Sequence, residues 1–301
     1  MKRVIIDTDP GIDDAVAIAM ALNNRDIDVR LITTVGGNVD INKTSKNAAK
    51  LVRLFNTNVP IAKGTYKPLI RDIEDASDVH GDSGMDGFDF PNVDDYIFKE
   101  EHAVEAMRKT ILNSEEKITI VAIAPLTNIA LLLCMYPEVK DNIEEIVIMG
   151  GSLNRGNKGV MSEFNIHCDP EAADIVLRSG IKIFMATLDV GIEAPILPND
   201  CDCLRGKSKA ADMTLSLFSR YRGGSAKTGF KMYDCHAIAY LLNPEIFKIE
   251  HVFCQIELNG TYTKGVTVFD LKNYLKKEPN VYVTTGVDKE GFREFFKREL
   301  M

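Results

Sequence analysis

With 301 residues, 45% hydrophobic and 27% charged, and neither a low-complexity tract nor a linker composition, the chain can bury a large core and is expected to fold as one domain over residues 1–301. A net charge of −8 argues against a nucleic-acid polyanion or an anionic membrane surface as partner, and favours a neutral ligand or a cation. Met1-Lys2-Arg3 runs straight into a short strand instead of a signal peptide, no apolar run reaches the ~18 residues of a membrane helix, and the six cysteines are scattered, so the expectation is a cytoplasmic protein with reduced thiols.

The apolar run Val4-Ile5-Ile6 reads as the centre of a buried strand over 4–8. Pro10-Gly11 reads as a turn, and Ala15, Ile18, Ala19 and Leu22 then recur at helical spacing. Asp7, Asp9, Asp13 and Asp14 thus fall at a strand-to-helix junction, where open α/β sheets place ligands. Residues 29–35 read as a second strand ending at Gly36-Gly37-Asn38, an amphipathic helix follows through Ala48, Leu51, Val52 and Phe55, and 59–62 reads as a third strand. From 63 to 92 the chain is aperiodic and rich in Gly, Asp and Pro, which predicts a long loop over one edge of a site. Within it lies His80-Gly81-Asp82-Ser83-Gly84-Met85-Asp86-Gly87. Its glycines permit close approach or hinging, although a lone loop histidine is ordinarily solvated surface.

A helix over 103–112 and a strand over 118–123 follow, the strand ending at Ala124-Pro125-Leu126-Thr127-Asn128 before another helix. The strand 145–149 ends at Gly150-Gly151, and an irregular segment leads to Glu163-Phe164-Asn165-Ile166; Asp169 with Pro170 reads as the cap that starts a helix to residue 178. A strand over 182–187, a helical stretch over 208–222 and a glycine-rich segment over 223–229, a candidate lid, precede an apolar helix that opens with Tyr233-Asp234-Cys235-His236. Alternation through Val252, Cys254, Ile256 and Leu258, and again through 261–268, predicts antiparallel strands joined near Asn259-Gly260, before a strand over 281–284 and a terminal helix. The repeated strand-helix rhythm predicts an α/β fold: a Rossmann-like, mostly parallel sheet flanked by helices, with a smaller antiparallel C-terminal portion.

Four carboxylates in one turn repel one another, and a hard divalent cation with oxygen ligands is the natural remedy; helix capping accounts for one or two acids but not four. An EF-hand loop counted from Asp7 needs Gly sixth and Glu twelfth, where Ile12 and Ile18 stand. A phosphatase of the haloacid dehalogenase type opens on Asp-x-Asp but wants Thr or Val where Gly11 stands, leaving it a weaker alternative.

The string Asp7-Thr8-Asp9-Pro10-Gly11-Ile12-Asp13-Asp14-Ala15 resembles the signature of the nucleoside hydrolase family. The resemblance continues in order through Gly37-Asn38, the His80-Gly81 loop, Leu126-Thr127-Asn128-Ile129-Ala130, Met149-Gly150-Gly151, Glu163-Phe164-Asn165-Ile166 and Asp234. It implies cleavage of ribonucleosides to ribose and free base, with Ca2+ held by Asp9, Asp14, the Ile123 carbonyl and Asp234, and with Asp7 in support. Asp13 and Asn165 would take the 2′- and 3′-hydroxyls, Asn157 and Glu163 the 5′-hydroxyl, and Asn38 and Met149 would line the same pocket. Asp9 would be the general base, and a homodimer or homotetramer is implied.

One departure stands out. Well-known members place His immediately before the late calcium-binding Asp, as proton donor to the departing base, whereas this chain has Tyr233. A phenol can donate a hydrogen bond but is a poorer acid than imidazolium. Tyr233 itself, His236 one helical turn on, or sugar activation helped by His80 or Tyr221 are the alternatives, as is a calcium-dependent nucleoside binder with impaired catalysis.

Overall fold

The computed structural model describes residues 1–225 and 227–301; Ala226, inside the glycine-rich segment read as a lid, lies outside them. Its strands are β1 (Lys2–Thr8), β2 (Ile27–Thr34), β3 (Ile61–Lys63), β4 (Ile118–Ala122), β5 (Ile143–Met149), β6 (Ile183–Ala186), β7 (Gly224–Ser225), β8 (Gly229–Phe230), β9 (Phe247–Val252), β10 (Cys254–Ile256), β11 (Thr267–Phe269) and β12 (Val281–Val287). Eight of them form one sheet in the order β3-β2-β1-β4-β5-β6-β12-β9, parallel throughout except for the antiparallel edge strand β9.

The chain winds outward from β1 to β3, then returns to pair β4 on the other side of β1 and winds the opposite way. Strand order therefore reverses between β1 and β4, leaving a crevice at their carboxyl ends. Both faces of the sheet are covered, which is why β1 and β4 read as continuous apolar runs. Alternation still sorts their side chains: Val4 and Ile6 join one core layer while Ile5 joins the other.

The first layer is built around the helix Ile12–Asn23, which packs against the helices Ile41–Leu54, Lys209–Phe218, Cys235–Leu242 and Lys289–Leu300. Ala15, Ala17, Ala19 and Ala21 are all fully buried, and such small side chains let neighbouring backbones approach from every side. The second layer holds the helices Ala103–Leu112, Thr127–Met135 and Pro170–Leu177. Asp169 caps the last of these as expected, accepting from the Ala172 N–H at 3.0 Å, with Pro170 at the first helical position.

Several boundaries differ from expectation. The stretch read as helix over 208–222 is helical only from Lys209 to Phe218. The long loop contains one short helix, Ser77–His80. The C-terminal antiparallel part is divided: β10 pairs with β11 across a longer connection than a turn at Asn259-Gly260, while β9 joins the main sheet beside β12. No helix among the described residues is long and apolar enough to cross a membrane.

His236 belongs to the core rather than to a substrate pocket, a correction to its reading as a residue that meets the departing base. It is fully buried, stacks on Phe292 at 3.8 Å between ring centroids, and donates from Nδ1 to the Met232 carbonyl at 2.9 Å. Burial without a carboxylate partner lowers its pKa to about 4, so it is neutral at physiological pH. Phe292, on the terminal helix, closes this layer. Phe292→Ala is expected to cost about 3–5 kcal/mol through lost packing and a cavity; an unchanged urea midpoint would contradict that account of the core.

Candidate active site

The carboxyl end of β1 delivers Asp7, Thr8 and Asp9, and the helix Ile12–Asn23 carries Asp13 and Asp14 in its first turn. Asp234 sits at the N-cap of Cys235–Leu242, which packs against that helix. Two helix N-termini, with their positive dipole ends, therefore face one cluster of acids from residues more than 200 positions apart. Asp7, Asp9, Asp13, Asp14 and Asp234 are all buried, at 5% exposure or less.

Hydrogen bonds fix each carboxylate. Asp14 accepts from the Thr8 hydroxyl at 2.6 Å, the Gly11 N–H at 3.0 Å and the Asn38 amide at 3.1 Å. Asp9 Oδ2 accepts the Asn38 N–H at 2.6 Å. A Cβ on Gly37 would lie 2.0 Å from that same oxygen, so only glycine lets the β2 loop pass here. Asp7 accepts from the Thr33 hydroxyl at 2.5 Å and the Asn128 amide at 2.9 Å, which suits a supporting role.

These bonds do not neutralise the charge. Burial is the leading cause that raises the pKa of all five acids, Asp7 to about 7 and Asp13 to about 8, and repulsion from Asp14 adds to it at Asp9 and Asp13. Among the described residues no Lys or Arg pairs with any of them. Oδ1 of Asp9 and Oδ2 of Asp7 are buried with no hydrogen-bond partner. An all-oxygen donor set with orphaned oxygens and surplus negative charge fits a hard divalent cation. Asp13, Asp14 and Asp234 bring one oxygen each within 4.8 Å of one another. The tightest convergence thus includes Asp13, read from sequence as a sugar ligand, and Asp9 stands beside it.

In front of the acids lies a cleft of about 230 Å³, lined by Asp13, Asn38, His80, Ile123, Met149, Asn157, Glu163, Asn165, Tyr233 and Asp234 among others. A larger groove of about 820 Å³ runs past the far ends of the helices Ile12–Asn23 and Ile41–Leu54, away from every buried acid described above. The smaller cleft holds the chemistry. Asn165 donates to the Met149 carbonyl at 3.1 Å. Glu163 caps the helix Phe164–Cys168, accepts N–H groups of Gly151, Asn165 and Ile166, and is nonetheless raised to about 7 by burial.

His80 is a buried wall residue, not solvated surface. Its Nδ1 accepts the Ile12 N–H at 3.0 Å, so in the neutral ring the proton sits on Nε2; burial lowers its pKa to about 4, and Asp13 Oδ1 at 4.0 Å makes no ion pair with it. Tyr221, 5.7 Å from the His80 ring, donates its hydroxyl to the Lys231 carbonyl and is already committed. Tyr233 is pushed above the usual phenol pKa, first by burial and then by Asp13 and Glu163, and stays protonated. Sequence reasoning gave no role to Thr8, Thr33 or Lys158. Thr8 and Thr33 are adjacent to or paired with the acidic turn, but hydroxyl partners carry no signal of their own in a strand.

Fold and cleft together define an α/β enzyme with an anionic, cation-ready pocket at the sheet's switch point. Comparison with known proteins specifies the class. The family described as inosine-uridine preferring nucleoside hydrolase matches residues 4–294. A Salmonella paratyphi B protein named non-specific ribonucleoside hydrolase RihC is 46% identical over 293 residues, 97% of this chain and 95% of its own. Among solved structures, an inosine-guanosine nucleoside hydrolase superposes with a TM-score of 0.91 at 29% identity, covering 100% of this chain and 99% of its own. A purine-preferring ribonucleoside hydrolase from Gardnerella vaginalis reaches 0.89 at 29%, covering 99% and 98%. The chain belongs to the inosine-uridine preferring nucleoside hydrolase family and is an N-glycosyl hydrolase, which sets aside the phosphatase reading.

A cation that binds only the folded state at a hundredfold excess over its Kd should add about 2.7 kcal/mol of stability. A hard divalent cation that occupies the site should therefore raise the Tm of the wild type. Gly37→Ala, which displaces Asp9, should lose most of that increment, and an undiminished increment would detach Asp9 from the cation site.

Proposed function

We propose that the chain hydrolyses ribonucleosides to ribose and free base, using Ca2+ held by Asp9, Asp14, the Ile123 carbonyl and Asp234, with Asp9 as general base toward water. The observation that carries this reading is the burial of five carboxylates that, among the described residues, pair with no Lys or Arg, beside a cleft whose lining includes amide and carboxylate groups. When bound, such a cation would offset that charge, anchor a vicinal diol and ease proton loss from water.

The protein's own groups supply the rest. Asp13 and Asn165 face the cleft where a sugar's 2′- and 3′-hydroxyls would need an acceptor and a donor-acceptor, and Asn157 and Glu163 offer the same toward a 5′-hydroxyl. Asn38 holds the Asp9 backbone and carboxylate while lining the pocket, which supports Asp9 as the group that removes a proton. Positive charge building on the sugar as the glycosidic bond lengthens is stabilised by the surrounding carboxylates. Tyr233 O–H and His80 Nε2–H, both neutral donors, would hydrogen-bond a base that leaves as an anion and takes its proton from solvent, while Asp9 returns to solvent the proton it removed from water. Six free cysteines support the cytoplasm as its place of work, and a homodimer or homotetramer is the assembly we assign by resemblance.

A reducing-sugar assay tests this directly. Chelator should abolish ribose release from uridine or inosine, Asp9→Ala should cut kcat by about 10²–10⁴, and 2′-deoxyribonucleosides should react about a hundredfold more slowly or worse. Full turnover after metal removal would sink the mechanism. For the leaving group, Tyr233→Phe removes one neutral hydrogen bond and should lower kcat about two- to tenfold; an unchanged kcat would remove Tyr233 from catalysis.

A further inference from the structure

The segment just before Glu163 forms a small hairpin. Lys158 N–H donates to the Ser162 carbonyl at 2.9 Å, Ser162 N–H returns to the Lys158 carbonyl at 3.2 Å, and Gly156 N–H donates to the Met161 carbonyl at 3.1 Å. Its cleft face carries Asn157, whose side-chain oxygen accepts the Phe164 N–H at 2.9 Å. Asp75, Ala76, Asp78, Val79 and His80 of the long loop are also part of the cleft wall. These two walls come from different connections of the sheet, after β5 and after β3.

Lys158 joins them. Its Nζ lies 3.3 Å from Glu74 Oε2 and donates to the Asp75 carbonyl at 3.3 Å. The other Glu74 oxygen meets His167 Nε2 at 3.4 Å, on the helix that follows Glu163. On the far side, the Asp75 carboxylate accepts the Ser77 N–H and hydroxyl at 3.3 and 3.0 Å, and the short helix that Ser77 begins ends at His80, which accepts from Ile12. Polar contacts and chain neighbours therefore connect the acidic turn through His80, Asp75, Glu74 and Lys158 to Asn157 and Glu163 along the cleft wall. Although burial works against the Glu74 charge, Lys158 and His167 outweigh it and lower its pKa, so the carboxylate side of the link is ionised at neutral pH.

We propose that Lys158, gripped by Glu74 and the Asp75 carbonyl, is a positioning residue that holds Asn157 and Glu163 at the 5′ end of the sugar by tying their hairpin to the His80 loop. This rests on the reading of the cleft as a nucleoside site. The link is about half exposed on the Glu74 side, 54% against 28% for Lys158, so it contributes little to global stability and acts through placement. An exposed ion pair of at most ~1 kcal/mol sets an upper bound of about fivefold on its effect. It is also screened by salt.

The test uses the full chain with calcium, comparing wild type, Lys158→Met, Glu74→Gln, the double variant and Lys158→Arg. Each single variant should raise KM for uridine about two- to fivefold with kcat and Tm nearly unchanged. The double should be no worse than the worse single, Lys158→Arg should recover most of the loss, and 5′-deoxyuridine, which has no hydroxyl for Asn157 and Glu163, should show little change. Raising salt to about 0.5 M should lift the wild-type KM toward the variants' values and leave theirs in place. Unaltered KM in both singles overturns the proposal, as does a Lys158→Met defect that Glu74→Gln fails to reproduce, which would mean Lys158 touches substrate itself. If Lys158→Met did not fold, Glu74→Gln and the salt series would decide. If the wild type released no ribose, the functional reading would fail on its own, and the nucleoside-induced Tm shift would replace KM as the readout of the link.

Discussion

The structure depends on keeping several acids out of water where, among the described residues, no Lys or Arg pairs with them. Burial raises the proton affinity of every acid in the cluster, and mutual repulsion adds to it at Asp9 and Asp13. Backbone, hydroxyl and side-chain amide donors offset part of this: the Asn38 and Gly11 N–H groups, the Thr8 and Thr33 hydroxyls and the Asn128 amide. Two helix N-termini offset a further part, and a bound cation, which the oxygen set fits, would offset the rest. Much of the surrounding architecture follows from that requirement, from the strand order that opens a crevice between β1 and β4 to the glycine at 37 that lets a loop lie against a carboxylate.

The fold was largely legible because parallel strands buried on both faces leave unbroken apolar runs, and the βα rhythm then dictates a sheet with helices on each side. What escaped were features decided by tertiary contact. The helix read over 208–222 stops at Phe218, because Tyr221 and Arg222 turn instead to bond Lys231 and the loop at Asp78. The antiparallel edge strand β9 lies almost wholly before the alternation that begins at Val252, and nothing local says that it should join the main sheet while β10 pairs with β11.

The site was legible in proportion to how much of it is charge. Four acids in one turn announce a cation, and Asp234 could be found only through the order of family motifs, because a single Asp before an apolar helix reads equally well as a cap. His236 misled for a related reason. Its spacing from Tyr233 put it one turn along the same helix, but that turn faces Phe292 and not the cleft. Sequence spacing gives the face of a helix; it does not say which neighbour that face meets.

The helix Ile12–Asn23 is enclosed on nearly every side, with every residue from Ile12 to Ala21 buried. An element so confined cannot slide or tilt without disturbing several others at once, since close-packed interiors transmit displacement. The acids it carries are thereby held in a stiff frame, whereas the opposite rim is made of loops joined by exposed polar links. Within one scaffold the chain thus separates a part that must stay still from a part free to change. Redrawing the rim could suit the cleft to a different base while leaving the frame of acids as it is.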